Sequence, residues 1–174
     1  MLKKISISVM GLILLASITL AGYKVFEPKS TSKLETTINS FYIEFSNVKE
    51  YTLSGGNNTS HYYFFCIPED NNCKYVYDSV FLSVKDKNND VSLDTIFEYI
   101  DINDIKDKDN FHNLLNQWGI STYPALVSCK VENDKIVINN VLEFDEKNPL
   151  SDMDIINWMR LNGIYSGNLQ QVPH

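Results

Sequence analysis

The sequence predicts one α/β domain with a central mixed sheet of about four strands flanked by helices, preceded by an apolar N-terminal segment. The chain has 174 residues, of which 44% are hydrophobic and 21% charged, proportions that are typical of a single globular domain. Segments with helical and with strand periodicity alternate along it, which favours a sheet covered on both faces. The last two predicted strands are joined by a short turn and must be antiparallel.

The charged residues and the cysteines exclude several classes of protein. The 22 acidic and 15 basic residues give a net charge of −7, so we expect no nucleic-acid partner. Three cysteines and three histidines are too few for a zinc cage or a disulfide scaffold, and we expect neither a metal nor another cofactor. One disulfide and one remaining thiol are compatible with the count.

The first segment predicts a membrane location. Lys3 and Lys4 precede an uncharged run, Ile5–Tyr23, that would be about 28 Å long as a helix and so nearly spans a bilayer core. The lysines favour a cytoplasmic N-terminus, which makes the chain a single-pass membrane protein with its C-terminal domain outside. Thr19 and Ala21 form a weak cleavage pair, and secretion after signal cleavage is the alternative.

We assign residues 1–26 to the anchor or signal, 27–32 to a linker, 33–165 to the domain and 166–174 to a tail. The first helix begins at the capping-box residues Ser32 and Glu35 and continues to about Lys49. Behind the breaker at Gly55-Gly56, the aromatic run His61–Cys66 predicts a strand buried on both faces.

The second half of the domain alternates in the same way. A second helix carries Cys73, Val76, Tyr77, Val80 and Val84 on one face. A strand over Thr95–Ile102 and a third helix that ends at Gly119 are predicted next. Two strands, Pro124–Val131 and Lys135–Phe144, then form a hairpin around Asn133-Asp134. A last helix is capped by Ser151.

This order of elements resembles the thioredoxin superfamily over about residues 33–163. The segment Trp118–Leu126 is similar to the superfamily's aromatic residue, glycine, aliphatic residue and three further residues before a cis-proline that opens a strand. The resemblance implies that Pro124 is cis and that the backbone of Tyr123 binds an extended substrate chain beside the active-site sulfur. An ordinary trans-proline at a strand start is the alternative.

The superfamily's C-x-x-C motif is altered here. If Cys73 takes the place of the second cysteine, Asp70 takes that of the first, and Cys66 lies seven positions upstream of Cys73. Three alternatives follow: Cys66 and Cys73 are a displaced redox pair, they form an inert structural bond that stabilises the fold by roughly 2.5 kcal/mol, or they are buried free thiols.

The loop between the two cysteines is expected to modulate the thiol pKa, and it contains Pro68, Glu69 and Asp70. Its carboxylates disfavour a thiolate and oppose the effect of the helix N-terminus. We therefore expect slow exchange or isomerisation rather than rapid, strongly oxidising chemistry. Cys129 alternates with valines in a predicted strand and is expected to be a small buried hydrophobic residue. We assign no chemistry to His112, and we interpret Asp101–Asp104 as a polar loop.

Exported, membrane-anchored, acidic domains of this kind resemble the bacteriocin transport accessory proteins of Gram-positive bacteria, including those that accompany pediocin-type peptides. The resemblance implies a thiol-disulfide oxidoreductase or isomerase, with Cys66 and Cys73 as the exchanging pair and Tyr123 and Pro124 as the substrate platform. Its client would be a small exported cysteine-containing peptide, alongside a peptide exporter. The alternatives are a non-redox chaperone or exporter-binding module of the same fold, and an immunity protein that sequesters a bacteriocin.

Overall fold

The structure, a computed structural model, describes residues 42–87 and 93–164 and is built on a five-stranded mixed sheet. In space the strands lie in the order β1-β3-β2-β4-β5. β3 is parallel to β1 and β2, whereas β4 is antiparallel to β2 and β5. The strands are β1 (Tyr42–Glu44), β2 (Ser60–Cys66), β3 (Glu98–Asp101), β4 (Ala125–Glu132) and β5 (Lys135–Glu143).

Helices cover both faces of this sheet, as the sequence predicts. The helical elements are α1 (Phe45–Ser54), α2 (Asn71–Tyr75), a π-helical stretch (Val76–Phe81), α3 (Leu82–Lys87), a 3-10 turn (Leu93–Thr95), α4 (Phe111–Asn116) and α5 (Asp152–Leu161). One face packs against α2, the π-helical stretch, α3 and α5, and the other against α1 and α4.

β2 is the centre of both hydrophobic layers. Phe64 packs on the first face against Phe81, with ring centroids 5.0 Å apart, while Phe65 packs on the second against Trp118 at 5.6 Å. Both phenylalanines are completely buried, and burying each contributes roughly 1.5–3 kcal/mol. The prediction of a strand buried on both faces is confirmed.

The predicted hairpin at the end of the sheet is also confirmed. Asn133 and Asp134 both have positive φ, 51° and 59°, which is typical of the tight type I′ turn between antiparallel strands. The Asn57 side chain holds this turn from outside: its Nδ2 donates to Asp134 Oδ1 at 3.0 Å, and its Oδ1 accepts from the Asp134 N–H at 2.9 Å.

Two predicted helix ends have the expected geometry. Ser151 caps α5 through a complete capping box with Asp154. Gly119, just after α4, has a φ of +71°, a conformation that disfavours residues with a side chain.

The first predicted helix is wrong over residues 42–44, where the chain forms β1, and the sheet has five strands instead of about four. The helix begins only at Phe45, and α1 then extends beyond Lys49 to Ser54. Tyr42 pairs with Tyr99, a partner far along the chain, so local periodicity does not reveal this strand. Ser32 and Glu35 lie outside the described residues.

The third predicted strand is shorter than Thr95–Ile102. Its first residue, Thr95, belongs to the 3-10 turn, which the Ile96 N–H closes by donating to the Leu93 carbonyl at 3.0 Å. The predicted membrane run Ile5–Tyr23 lies outside the described residues. Within the part that the structure describes, no helix is long and apolar enough to cross a membrane.

Candidate functional site

The candidate site lies at the edge of the sheet where β2 ends and β4 begins. The pairing of these antiparallel strands finishes at Phe65 and Ala125. Cys66 and Pro124 are the next residue on each strand, so the sheet brings the predicted cysteine and the predicted proline to the same edge.

Cys66 and Cys73 form a disulfide across this edge. Cys66 is the last residue of β2 and Cys73 lies in the first turn of α2, with their Cα atoms 5.8 Å apart, a spacing that suits a disulfide. Both residues are completely buried, and the Ile67 N–H donates to Cys73 Sγ at 3.2 Å. The bond favours the redox pair and the structural bond over two buried free thiols.

Asp70 caps the helix that follows the loop. Its Oδ1 accepts from the N–H groups of Asn72 at 2.8 Å and Cys73 at 3.0 Å, and its own N–H donates to the Ile67 carbonyl at 3.0 Å. A carboxylate is favourable at this positive end of the helix. It also places a negative charge at the position that the resemblance gives to the first cysteine of the C-x-x-C motif.

The other two loop residues differ in exposure: Pro68 is buried and Glu69 is exposed. Asp101 is paired in register with Cys66 on the neighbouring strand, a position that the sequence interpretation as a polar loop missed. Burial raises the pKa of the Asp101 carboxyl, with the charges of Asp104 and Glu69 adding to the effect and the Asn103 N–H opposing it. The surroundings of the disulfide are thus acidic.

The predicted substrate platform has the expected backbone. The Tyr123–Pro124 peptide bond is cis, which confirms that prediction. Neither the N–H nor the C=O of Tyr123 takes part in a backbone hydrogen bond among the described residues. The ring packs edge-on against Phe111, with centroids 5.8 Å apart, and is only partly buried. The main-chain groups of Tyr123 can therefore pair with an added extended chain.

Glu143 holds the segment that precedes the cis-proline. Its Oε1 accepts from the N–H groups of both Ser121 and Thr122, the latter at 2.8 Å, and Thr122 Oγ1 donates to the Phe144 carbonyl at 2.9 Å. Sequence reasoning missed Glu143 and Phe111. Glu143 reaches the loop only because β5 pairs it with Ala125 on β4, and no local motif signals this.

The loop of the disulfide and the platform share one cleft of about 790 Å³, which we call the acidic cleft. Burial raises the pKa of Tyr123, and the charge of the Asp70 carboxylate raises it further. His112 also lines this cleft and is exposed. The charged residues in the lining are Asp70, Glu143, Asp145, Glu146 and Lys147.

Three features together define a thioredoxin-like domain. They are the strand order, the helix that starts behind a cysteine at the end of β2, and the cis-proline that opens β4. No family model matches the sequence, and no curated protein matches it either.

Thioredoxins are among the solved structures that are similar to this chain. A thioredoxin of Plasmodium falciparum has 16% identity and a TM-score of 0.39, over 66% of this chain and 79% of the thioredoxin. A thioredoxin of Trichomonas vaginalis has 16% identity and a TM-score of 0.41, over 72% of this chain and 95% of the thioredoxin. Values this low assign neither a family nor an activity.

Proposed function

We propose that this protein is a thiol-disulfide oxidoreductase or isomerase in which Cys66 and Cys73 exchange and Tyr123 and Pro124 hold the client chain. One observation carries the proposal: a disulfide at the end of β2 lies on the same edge of the sheet as Tyr123, whose N–H and C=O pair with no other backbone group among the described residues. An extended client that pairs with Tyr123 would bring its own sulfur to this edge.

The exchange is a sequence of two displacements. A client thiolate attacks one sulfur of the Cys66–Cys73 bond, forms a mixed disulfide and leaves the electron pair on the other sulfur, which takes up a proton. A second client thiolate then attacks the mixed disulfide, which yields an oxidised client and the reduced protein. Isomerisation starts instead from a reduced cysteine, which attacks a wrong client disulfide and is released when the client re-forms the correct one.

The charges around the disulfide lower the rate of this exchange. Glu69 and Asp70 disfavour thiolate formation at Cys66 and Cys73, so the reduced form gains little stability from ionisation. Because both cysteines are completely buried, the loop between them has to open before a client sulfur reaches the bond. Both features favour slow exchange or isomerisation over rapid oxidation.

We further propose that the domain works outside the cytoplasm on a small exported peptide with cysteines, beside a peptide exporter. The apolar run Ile5–Tyr23 behind two lysines supports a membrane-anchored domain of this orientation. Disulfides persist on that side of the membrane. The acidic cleft and the net charge of −7 favour a cationic client, as does the resemblance to bacteriocin transport accessory proteins.

A non-redox chaperone or exporter-binding module is the second candidate function. The complete burial of Cys66 and Cys73 favours it, as does Asp70 at the helix cap in place of a thiol. In that case the bond is structural and only the platform at Tyr123 and Pro124 contacts the client.

The two candidates are separated by serine variants tested on a scrambled two-disulfide peptide. If the pair is catalytic, at least one of Cys66→Ser and Cys73→Ser abolishes recovery of the correct disulfides, because both reactions need the attacking cysteine, while the matched control Cys129→Ser, which alters the buried free cysteine, retains it. Unchanged recovery in the first two variants refutes the redox proposal. Peptide binding, measured in parallel, remains in all three variants if the platform acts as proposed.

A further inference from the structure

We propose that a second cleft, separate from the acidic cleft, binds a single-chain anionic amphiphile of the fatty-acid type. It lies between α1, α4 and the turn end of the β4–β5 hairpin, has a volume of about 730 Å³ and shares no lining residue with the acidic cleft. Small-molecule sites in proteins have volumes of roughly 300–1,000 Å³. This proposal does not depend on the redox function.

The floor of this cleft is apolar. Phe45, Val48 and Trp118 are buried members of the hydrophobic layer under α1 and α4. Ile136 and Ile138 of β5 form a partly exposed wall beside them. An alkyl chain lying along the partly exposed Leu53, Leu114, Ile136 and Ile138 removes apolar area from water on both sides, at about 25 cal/mol for each Å².

Lysines from three separate elements surround the cleft, which we call the lysine-rimmed cleft. Lys49 belongs to α1, Lys108 to the segment before α4 and Lys135 to the start of β5, and all three are exposed. Within residues 42–87 and 93–164, none of the three forms an ion pair.

The acidic residues near this cleft do not cancel these charges. Asp134 is the one carboxylate among the lining residues that the structure describes, and its Oδ1 already accepts from Asn57. Asp107 and Asp109 flank Lys108 in sequence and Glu50 follows Lys49, but none of these three carboxylates lines the cleft. The lining therefore has a positive balance in a chain whose net charge is −7.

The combination of an apolar floor and a cationic rim selects the chemistry of the ligand. A carboxylate head group meets the lysines while its alkyl tail lies on the floor, whereas a cationic amphiphile is repelled and a small anion leaves the floor in water. An acidic peptide also has backbone N–H and C=O groups to satisfy, and Ser46 and Gln117 are the only neutral polar side chains of the described lining that are available to it. The lining therefore favours the fatty acid over the peptide.

The test uses dodecanoate below its micellar concentration and the full chain in a Trp158→Phe background. Trp118 lines the cleft, whereas Trp158 is buried in the layer on the other face of the sheet, so the remaining fluorescence reports on the cleft. We expect a saturable fluorescence change with dodecanoate, and no saturation with dodecyltrimethylammonium or with acetate. Calorimetry gives the stoichiometry, expected to be one molecule for each chain.

The double variant Lys49→Ala/Lys135→Ala should weaken dodecanoate binding about tenfold. Its matched control, Lys85→Ala/Lys130→Ala, removes the same charge outside the cleft and should leave binding unchanged. Circular dichroism verifies folding, and Lys→Gln replaces Lys→Ala if a variant unfolds. Equal binding of the cationic amphiphile, equal weakening by both double variants, or displacement of dodecanoate by an acidic peptide of higher affinity overturns the proposal.

Discussion

Asp70 provides the sharpest test of how the loop controls the cysteines. The Asp70→Asn substitution removes the negative charge but retains an oxygen that accepts from the N–H groups of Asn72 and Cys73. The Asp70→Ala substitution removes both the charge and the acceptor. Comparison of the two variants separates the effect of the helix-capping hydrogen bonds from the effect of the negative charge.

The expected magnitudes follow from these two contacts. Loss of an N-cap acceptor costs about 1 kcal/mol of unfolding free energy, so Asp70→Ala should be less stable by that amount and Asp70→Asn nearly unchanged. A charge at a helix end changes the energy of an ionised group by roughly 0.3–1 kcal/mol. Both substitutions should therefore raise the thiolate fraction of the reduced cysteines about two- to fivefold at neutral pH.

Two measurements check these numbers in a Cys129→Ala background. Urea unfolding of the oxidised protein gives the free energy of unfolding, and the pH dependence of alkylation by iodoacetamide gives the pKa of the reactive thiol in the reduced protein. If Asp70→Asn destabilises the fold as much as Asp70→Ala, the side-chain oxygen of residue 70 does not stabilise the fold by capping the helix. If neither substitution lowers the thiol pKa, the acidic loop does not restrain exchange and our account of the slow chemistry fails.

Two further predictions concern Glu143 and Cys129. The Glu143→Ala substitution should lower the free energy of unfolding by about 1 kcal/mol and speed amide hydrogen exchange at Thr122. The Glu143→Gln substitution retains an acceptor oxygen and should have a smaller effect. Equal effects of the two substitutions would contradict the role of Glu143 as the acceptor that holds this segment. Burial, with a smaller effect of the Glu98 charge, raises the pKa of the Cys129 thiol from 9.0 to about 12. Because the unfolded chain ionises first, the stabilisation from this buried neutral thiol is complete below pH 9 and is lost as the pH rises to about 12. In urea unfolding from pH 7 to 11, the stability advantage over Cys129→Ala should narrow above pH 9, and a constant difference would refute this reasoning.

The sequence by itself determined the elements whose signals are local. The aromatic run that forms β2, the Asn133-Asp134 turn and the capping box at Ser151 each depend on residues that are neighbours along the chain. The cis-proline at Pro124 follows from the resemblance of the segment Trp118–Leu126 to the thioredoxin superfamily, and that resemblance also depends on residues adjacent in the chain.

Only the tertiary structure decided the features that depend on distant partners. β1 forms because Tyr42 meets Tyr99 of β3, and the helical spacing that follows masks it in the sequence. Glu143 reaches the cis-proline loop, and Asp101 lies beside Cys66, because sheet pairing aligns segments that are far apart along the chain. The physical reason is that a helix or turn draws its hydrogen bonds from residues a few positions away, whereas a sheet edge and a cleft obtain theirs from whichever strands the whole fold brings together.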